Sequence, residues 1–203
     1  MIDTAGLIKE KKITEEVDRW SIMRTYRALS RAEVAILVVD GSQSFSPQDA
    51  AIANMVLDRG RSLIVAINKN NMVWAFSSGG GDLTSDPWYL TWLADRFPPL
   101  EKYIPVVFTS ASERRNVQRL VPLAIKVHES RLKVIPTSIL SRVVDEYTRD
   151  NRPPRNKEGK QLNFLFAVQI RHEFKEGLED MLRENFGYRG SPIRLSILGR
   201  KDK

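Results

Sequence analysis

Three unbroken apolar runs mark the first two thirds of the chain. They are Val34–Val39, Leu63–Ile67 and Ile104–Thr109, and segments with helical periodicity separate them. Unbroken Val/Ile/Leu runs of this length are typical of strands that are buried on both faces of a parallel sheet. The pattern therefore predicts an α/β domain built on a parallel sheet.

The helices between these runs have recognisable ends. Ser46 can cap a helix, Pro47 suits its first turn and Asp49 can complete a capping box, while Gly60 ends the same helix. The other helices predicted in this part of the chain are Thr14–Arg31, Tyr89–Phe97 and Asn116–Lys133.

The remainder of the chain has a different pattern and predicts a second, smaller α/β domain over residues 135–203. A helix over Ser138–Asp150 and a basic connector over Asn151–Lys160 come first. A strand with clean alternation follows at Leu162–Ile170. The predicted helix after it ends at Gly187, and the last predicted strand covers Ile193–Ile197.

Polar motifs follow the predicted strands of the first domain. Asp3-Thr4-Ala5-Gly6 opens the chain, Asn68-Lys69-Asn70-Asn71 follows the second apolar run, and Ser110-Ala111 follows the third. Ligands of open α/β sheets bind at the carboxyl ends of the strands. The 203 residues contain no G-x-x-x-x-G-K-[ST] stretch, which is the loop that cradles phosphates in P-loop proteins.

This ordered set resembles the GTPase signatures for γ-phosphate and Mg²⁺, for guanine, and for the loop behind the base. Residues 12–25 and 186–195 are similar to segments of the Der/EngA family of tandem GTPases, and the resemblance runs from about Ile2 to Lys201. It implies a P-loop GTPase (Rossmann-like) domain over 1–134 that lacks its N-terminal P-loop part. A small KH-like domain over 135–203 would follow, apparently short of one strand.

The resemblance also implies roles for individual residues. Asp3 would bind Mg²⁺ through water and Gly6 would contact the γ-phosphate, while Leu7 stands where Ras-like proteins carry a water-orienting Gln. A monovalent cation, K⁺, would replace an arginine finger. The residues expected to bind GTP, GDP or the metal are Asp3, Thr4, Ala5, Gly6, Leu7, Asn68, Lys69, Asn70, Asn71, Ser110 and Ala111.

The function implied is that of a GTP-binding factor in assembly of the large ribosomal subunit. Its partners would be ribosomal RNA and ribosomal proteins of the subunit precursor, and we expect a monomer that binds no membrane. The alternative is a catalytically degenerate module that binds ribosomal RNA or an assembly partner without hydrolysing GTP. Without a phosphate loop, the chain alone is expected to be inactive. The expected location is the cytoplasm of a bacterium, or a mitochondrion or plastid of a eukaryote.

Composition agrees with a polyanionic partner. The net charge is +7 and the pI about 9.7, with +3 on residues 1–134 and +4 on the shorter segment 135–203. The chain has no Cys, which excludes disulfides and Cys-based metal sites.

The second domain contains a spacing that RNA-binding KH domains use to clamp a nucleic-acid backbone. Gly187-Tyr188-Arg189-Gly190 matches the G-x-x-G pattern, but it lies between a predicted helix and a predicted strand. The working loop joins two helices, so the better interpretation of Gly187 is a helix C-cap.

One prediction concerns Asn71, which stands where the GTPase guanine motif has an Asp. An amide cannot accept from both guanine donors at once, so Asn71→Asp should tighten guanine nucleotides by about ten- to a hundredfold if binding survives. Adenine nucleotides should be unaffected. Titration with fluorescent GDP and ADP measures this. Unchanged affinities would favour the alternative that the loop no longer reads the base and forms a simple turn.

Overall fold

The computed structural model describes residues 27–43, 45–69, 87–151 and 172–195, except for the side chains of 87–90 and 172–175. These residues form two compact units. Those of the first unit lie within Met1–Arg131 and Arg189–Pro192, and those of the second within Leu132–Tyr188 and Ile193–Lys203. The predicted boundary after residue 134 lies near this division, except that residues 189–192 return to the first unit.

A parallel sheet organises the first unit and confirms the predicted α/β class. Its strands are β1 (Val34–Asp40), β2 (Ser62–Asn68) and β3 (Val106–Phe108), in the order β1-β2-β3. The first two apolar runs therefore form strands as predicted. The third run is strand over only three residues, but this strand runs parallel to β2, as a parallel sheet requires.

Strand β2 is the most deeply buried element. No residue from Ser62 to Ile67 is more than 1% exposed, so the prediction of burial on both faces is confirmed for this strand. One face of the sheet carries the main core, which is continued by helices around it. That core consists of Leu29, Val39, Phe45, Ala53, Val56, Leu63, Val65, Ile67, Leu93, Phe97, Leu100, Ile104 and Phe108.

The opposite face is covered less evenly. Ile64 of β2 and Val127 are fully buried but lie outside the main core, and the helix that carries Val127 contacts both β1 and β2. On β1, however, Val38 is 61% exposed. Burial on both faces was therefore the wrong prediction for β1, because the cover on this face leaves Val38 open to solvent.

The start and stop signals predicted for the helix after β1 are confirmed, whereas the helix predicted over Asn116–Lys133 is α-helical only from Leu120 to Arg131. Helix α1 has the complete capping box: Ser46 Oγ accepts from the Asp49 N–H, and the Asp49 carboxylate accepts from the Ser46 N–H at 2.8 Å. Residues 27–31 are helical and form the end of the predicted Thr14–Arg31 helix, whose earlier residues lie outside the described part of the chain. The bounds are α1 (Pro47–Asp58), α2 (Pro87–Arg96), α3 (Pro99–Lys102), a 3₁₀ turn (Val117–Arg119) and α4 (Leu120–Arg131).

The described part of the second unit contains two helices, α5 (Thr137–Asp150) and α6 (His172–Phe186), which contact each other. The Tyr147 hydroxyl reaches so close to Gly177 that a side chain there would collide with it. The predicted strand Leu162–Ile170 lies outside the described residues, so the KH-like assignment stays a prediction. Residues 193–195 are not in a strand, and the predicted strand was wrong there because alternation alone supplies no pairing partner.

The end of α6 is held by a charged side chain. Arg183 donates to the Glu179 carboxylate at 2.6 Å and 3.2 Å and to the Tyr188 carbonyl at 3.2 Å. The Gly187 N–H donates to the Arg183 carbonyl at 2.8 Å, and Gly187 has φ +91°. The C-cap interpretation of Gly187 is therefore confirmed.

Within the described part of the chain, no helix combines the length and apolar character needed to cross a membrane.

Candidate nucleotide-binding site

The carboxyl ends of the three strands bring two of the predicted motifs together. Asp40 and Asn68 are paired across β1 and β2. The backbone bonding continues beyond the strands, because the Gly41 N–H donates to the Asn68 carbonyl and the Thr109 N–H donates to the Ile67 carbonyl, both at 2.7 Å. This edge therefore holds Asn68-Lys69 next to Ser110-Ala111.

The side chain of Asn68 links the two motifs directly. Its Oδ1 accepts from the Ala111 N–H at 3.0 Å and lies 3.4 Å from the Thr109 hydroxyl. Because an amide N–H and an amide oxygen form a specific, directional bond, the loop after β3 is positioned by the end of β2. The Asn68 side chain therefore helps to fix the position of the loop after β3.

The loop after β3 is tightly closed on itself. Ser110 is fully buried, and its backbone exchanges two hydrogen bonds with Arg115, at 2.9 and 3.1 Å. The Asn116 side chain donates to the Phe108 carbonyl at 3.0 Å, and Asn116 adopts φ +59°. Ser110-Ala111 therefore sits in a closed loop with a defined conformation.

Lys69 makes an ion pair that the sequence analysis did not predict. Its Nζ lies 2.6 Å from Asp40 Oδ2, and its backbone has φ +59°. The other carboxylate oxygen, Oδ1, accepts from the Ser42 N–H at 3.0 Å and from the Ser42 hydroxyl at 2.6 Å. The Asp40 carboxylate is thus held between the turn after β1 and the lysine after β2.

These hydrogen bonds change the acidity of Asp40. The bond from Lys69 is the largest cause, followed by the bond from the Ser42 side chain, and together they lower the pKa of Asp40 from 3.8 to about 2. The only sequence signal for Asp40 was its position at the end of an apolar run, on the same edge as the other motifs.

The remaining predicted site residues lie outside the described part of the chain. They are Asp3, Thr4, Ala5, Gly6, Leu7, Asn70 and Asn71. The Mg²⁺ site at Asp3 therefore stays a prediction. The described residues contain no cluster of three or more His, Asp or Glu side chains that could hold a metal ion.

The described groups fit one side of a base-binding site and not a phosphate site. A lysine stem and a closed loop lie at one sheet edge, and the long alkyl stem of lysine can cover apolar or aromatic surface. Groups suited to phosphates and Mg²⁺ were predicted among residues 3–7, which lie outside the described part of the chain.

Comparison with known proteins identifies the family to which the chain belongs. A model of the elongation factor Tu GTP-binding domain matches residues 21–130, which is more than half of the chain. The chain belongs to this family of GTP-binding domains. The resemblance to Der/EngA proteins is also confirmed, because the curated relatives below carry that name.

GTPase Der of Thermomicrobium roseum is 33% identical over 212 residues, which cover 96% of this chain and 45% of the relative. GTPase Der of Natranaerobius thermophilus is 30% identical over 211 residues, covering 96% of this chain and 46% of the relative. The chain spans about half the length of the curated relatives it matches.

Among solved structures, the cytosolic domain of the T. maritima FeoB iron transporter, in a GDP form, aligns over 84% of this chain and 74% of its own. The TM-score is 0.41 and the identity 18%. No functional conclusion follows from a similarity of this size.

The ion pair at this edge generates a prediction for Asp40→Asn. The folded-state pKa of Asp40 is lowered, so its contribution to stability is present above about pH 4 and is lost as the pH falls towards about 2. At pH 7 the variant should lose about 1 kcal/mol or less, because the pair is partly exposed. Between about pH 4 and 2 its unfolding free energy should fall less steeply with decreasing pH than that of the wild type.

Urea unfolding at a series of pH values measures both effects. Asp95→Asn is the matched control, because it removes the same charge from an exposed helical position in the same unit. If the unfolding free energies of the wild type and Asp40→Asn depend equally on pH, the proposed ion pair between Asp40 and Lys69 is contradicted.

Proposed function

We propose that this chain is the guanine-reading part of a Der-type GTP-binding protein. The guanine base of the bound nucleotide would lie against the sheet edge formed by Asn68, Lys69 and the loop at Ala111. The hydrogen bond from the Ala111 N–H to Asn68 Oδ1 carries the proposal, because it joins the two motifs that GTPases use around guanine. The family match over residues 21–130 supports the same ligand.

The proposed role of Lys69 follows from its position. The Asp40 carboxylate holds its ammonium at 2.6 Å, so the alkyl stem crosses from the end of β2 towards the end of β1. A stem fixed in this way offers an apolar wall for a planar base and limits the conformational entropy that is lost on binding. Asp40 would then support the base site without contacting the nucleotide.

GTP hydrolysis would require groups beyond this edge. A phosphate-binding loop of the form G-x-x-x-x-G-K-[ST] does not occur in the 203 residues, so such a loop would have to come from elsewhere. Asp3 would contribute to the Mg²⁺ site, and K⁺ would support turnover in place of an arginine finger. On this proposal the chain alone binds guanine nucleotides weakly and does not turn them over.

A titration of the chain with GDP and ADP tests base recognition. Amide NMR signals suit the weak binding that is expected, and those of Lys69 and Ala111 should move with GDP more than with ADP. Asn68→Ala removes the oxygen that accepts the Ala111 N–H, so it should weaken GDP binding by about 1–2 kcal/mol, or roughly five- to thirtyfold.

The matched control is Asn185→Ala. Asn185 is an exposed residue on α6, and its amide bonds only within that helix. Thermal unfolding of both variants separates a loss of binding from a loss of fold. If neither nucleotide moves the Lys69 and Ala111 signals, the nucleotide-binding proposal is wrong, and the degenerate module becomes the better interpretation.

We also propose a role in assembly of the large ribosomal subunit, in the cytoplasm and as a monomer. The basic residues in the last turn of α5 and in the sequence that follows it support this role, because a cluster of cations can neutralise phosphates of ribosomal RNA. These residues are Arg149, Arg152, Arg155, Lys157 and Lys160.

Replacing these five residues with Gln should weaken co-sedimentation with large subunits and reduce its dependence on salt. Each lost phosphate contact lowers the salt slope by about 0.7 to 0.9 in logarithmic units. A control variant removes the same charge from exposed positions of the first unit: Arg59, Arg96, Lys102, Arg119 and Lys126. Equal slopes for the wild type and the connector variant would show that these residues serve only as a solvated linker.

A further inference from the structure

Residues 189–192 return to the first unit, although the described residues on either side belong to the second. The Gly190 carbonyl accepts from the Leu63 N–H, and the Gly190 N–H donates to the Tyr103 carbonyl, both at 2.7 Å. The hydroxyls of Ser191 and Ser62 are hydrogen-bonded at 2.7 Å, and both residues are at most 3% exposed. The segment is therefore seated at the amino end of β2.

Gly190 meets two separate requirements in this segment. Its φ is +74°, a backbone conformation that L side chains rarely adopt. A Cβ placed on it would lie 2.9 Å from Val127 Cγ1 and 3.1 Å from the Leu63 carbonyl oxygen. Gly187 also has a positive φ, of +91°, but a Cβ there would meet nothing within 4 Å. Of these two glycines, only Gly190 is required by the available space as well as by the backbone conformation.

The hydrogen bonds of Gly190 join the amino end of β2 to the chain segment that leads into β3. Leu63 is the second residue of β2, and Tyr103 lies in the chain that leads into β3. The Val65 N–H donates to the Pro105 carbonyl at 3.0 Å, so the two chain segments remain bonded beyond Gly190. Gly190 thus links β2, which ends at Asn68, to the segment that leads into β3, after which Ser110 follows.

The same two strands are bonded to each other at the opposite edge by Asn68 and Ala111. Between the two ends, β2 is buried from Ser62 to Ile67 and is packed on both faces. Packed interiors transmit strain because they contain few voids that could absorb a shift. A change in the spacing of β2 and β3 at one end should therefore reach the other.

We propose that residues 189–192 form a latch on β2 and β3, and that closure of the latch and binding of a guanine nucleotide at the opposite edge stabilise each other. The nucleotide part rests on the proposed function. Coupling of this kind is reciprocal, so the nucleotide must tighten the latch by the same factor as the latch tightens the nucleotide.

Gly190→Ala in the full chain tests the latch, and Gly187→Ala is its matched control. Both changes place a side chain at a positive φ, but only the first also meets Val127 and the Leu63 carbonyl. Hydrogen exchange of the Leu63 amide reports whether the latch is seated, and the Ala111 amide signal reports the opposite edge. Gly190→Ala should accelerate Leu63 exchange by about tenfold or more and shift the Ala111 signal, while Gly187→Ala changes neither.

A second measurement tests the coupling to nucleotide by titrating the same variants with GDP. Gly190→Ala should weaken GDP binding by about three- to tenfold, and saturating GDP should slow Leu63 exchange in the wild type by a similar factor. If the wild type binds no GDP, the proposed function fails, and the Ala111 signal alone decides whether the two ends are coupled. Faster Leu63 exchange with an unchanged Ala111 signal overturns the coupling and leaves a local structural contact.

Ser191→Ala keeps the test valid if Gly190→Ala does not fold. It removes the hydroxyl that is hydrogen-bonded to Ser62, and Ser62→Ala removes the same bond from the other side. The two single changes should have similar effects on Leu63 exchange, and the double change should add little to either. Fully additive effects would contradict a shared latch contact.

Discussion

Strand β2 occupies the centre of the described sheet, and the first unit depends on its burial. A strand in this position needs a neighbour on each side to satisfy its backbone and a packed layer on each face. Strands β1 and β3 supply the neighbours, the main core supplies one face, and α4 covers the other. Residues 189–192 supply hydrogen-bond partners to Ser62 and Leu63 at the amino end of the strand.

Burial of β2 also explains why chemistry concentrates at its ends. Between Ser62 and Ile67 no side chain is accessible, so the strand can present functional groups only where it leaves the sheet. At the carboxyl end it presents Asn68 and Lys69, one bonded to the Ala111 amide and the other to the Asp40 carboxylate. Two neighbouring chain segments are thus attached to β2 through side chains.

The two glycines of the Gly187-Tyr188-Arg189-Gly190 stretch have different physical roles. Gly187 ends α6 with a positive φ and open space around it, as a C-cap requires. Gly190 brings the backbone close to β2 and α4, where a larger residue would collide. Their spacing matches an RNA-clamping motif, but each glycine is accounted for by its contacts within this chain.

Local patterns in the sequence determined the α/β class, the strands β1 and β2, and the capped start of α1, because apolar periodicity and capping act over a few residues. They also placed Asn68-Lys69 and Ser110-Ala111 at one edge, since parallel strands end on the same side of a sheet. Only the tertiary structure decided the pairing of Asp40 with Lys69, the seating of Ser191 on Ser62 and the exposure of Val38. These features depend on contacts between residues far apart in the chain, and no local pattern specifies which distant groups will meet.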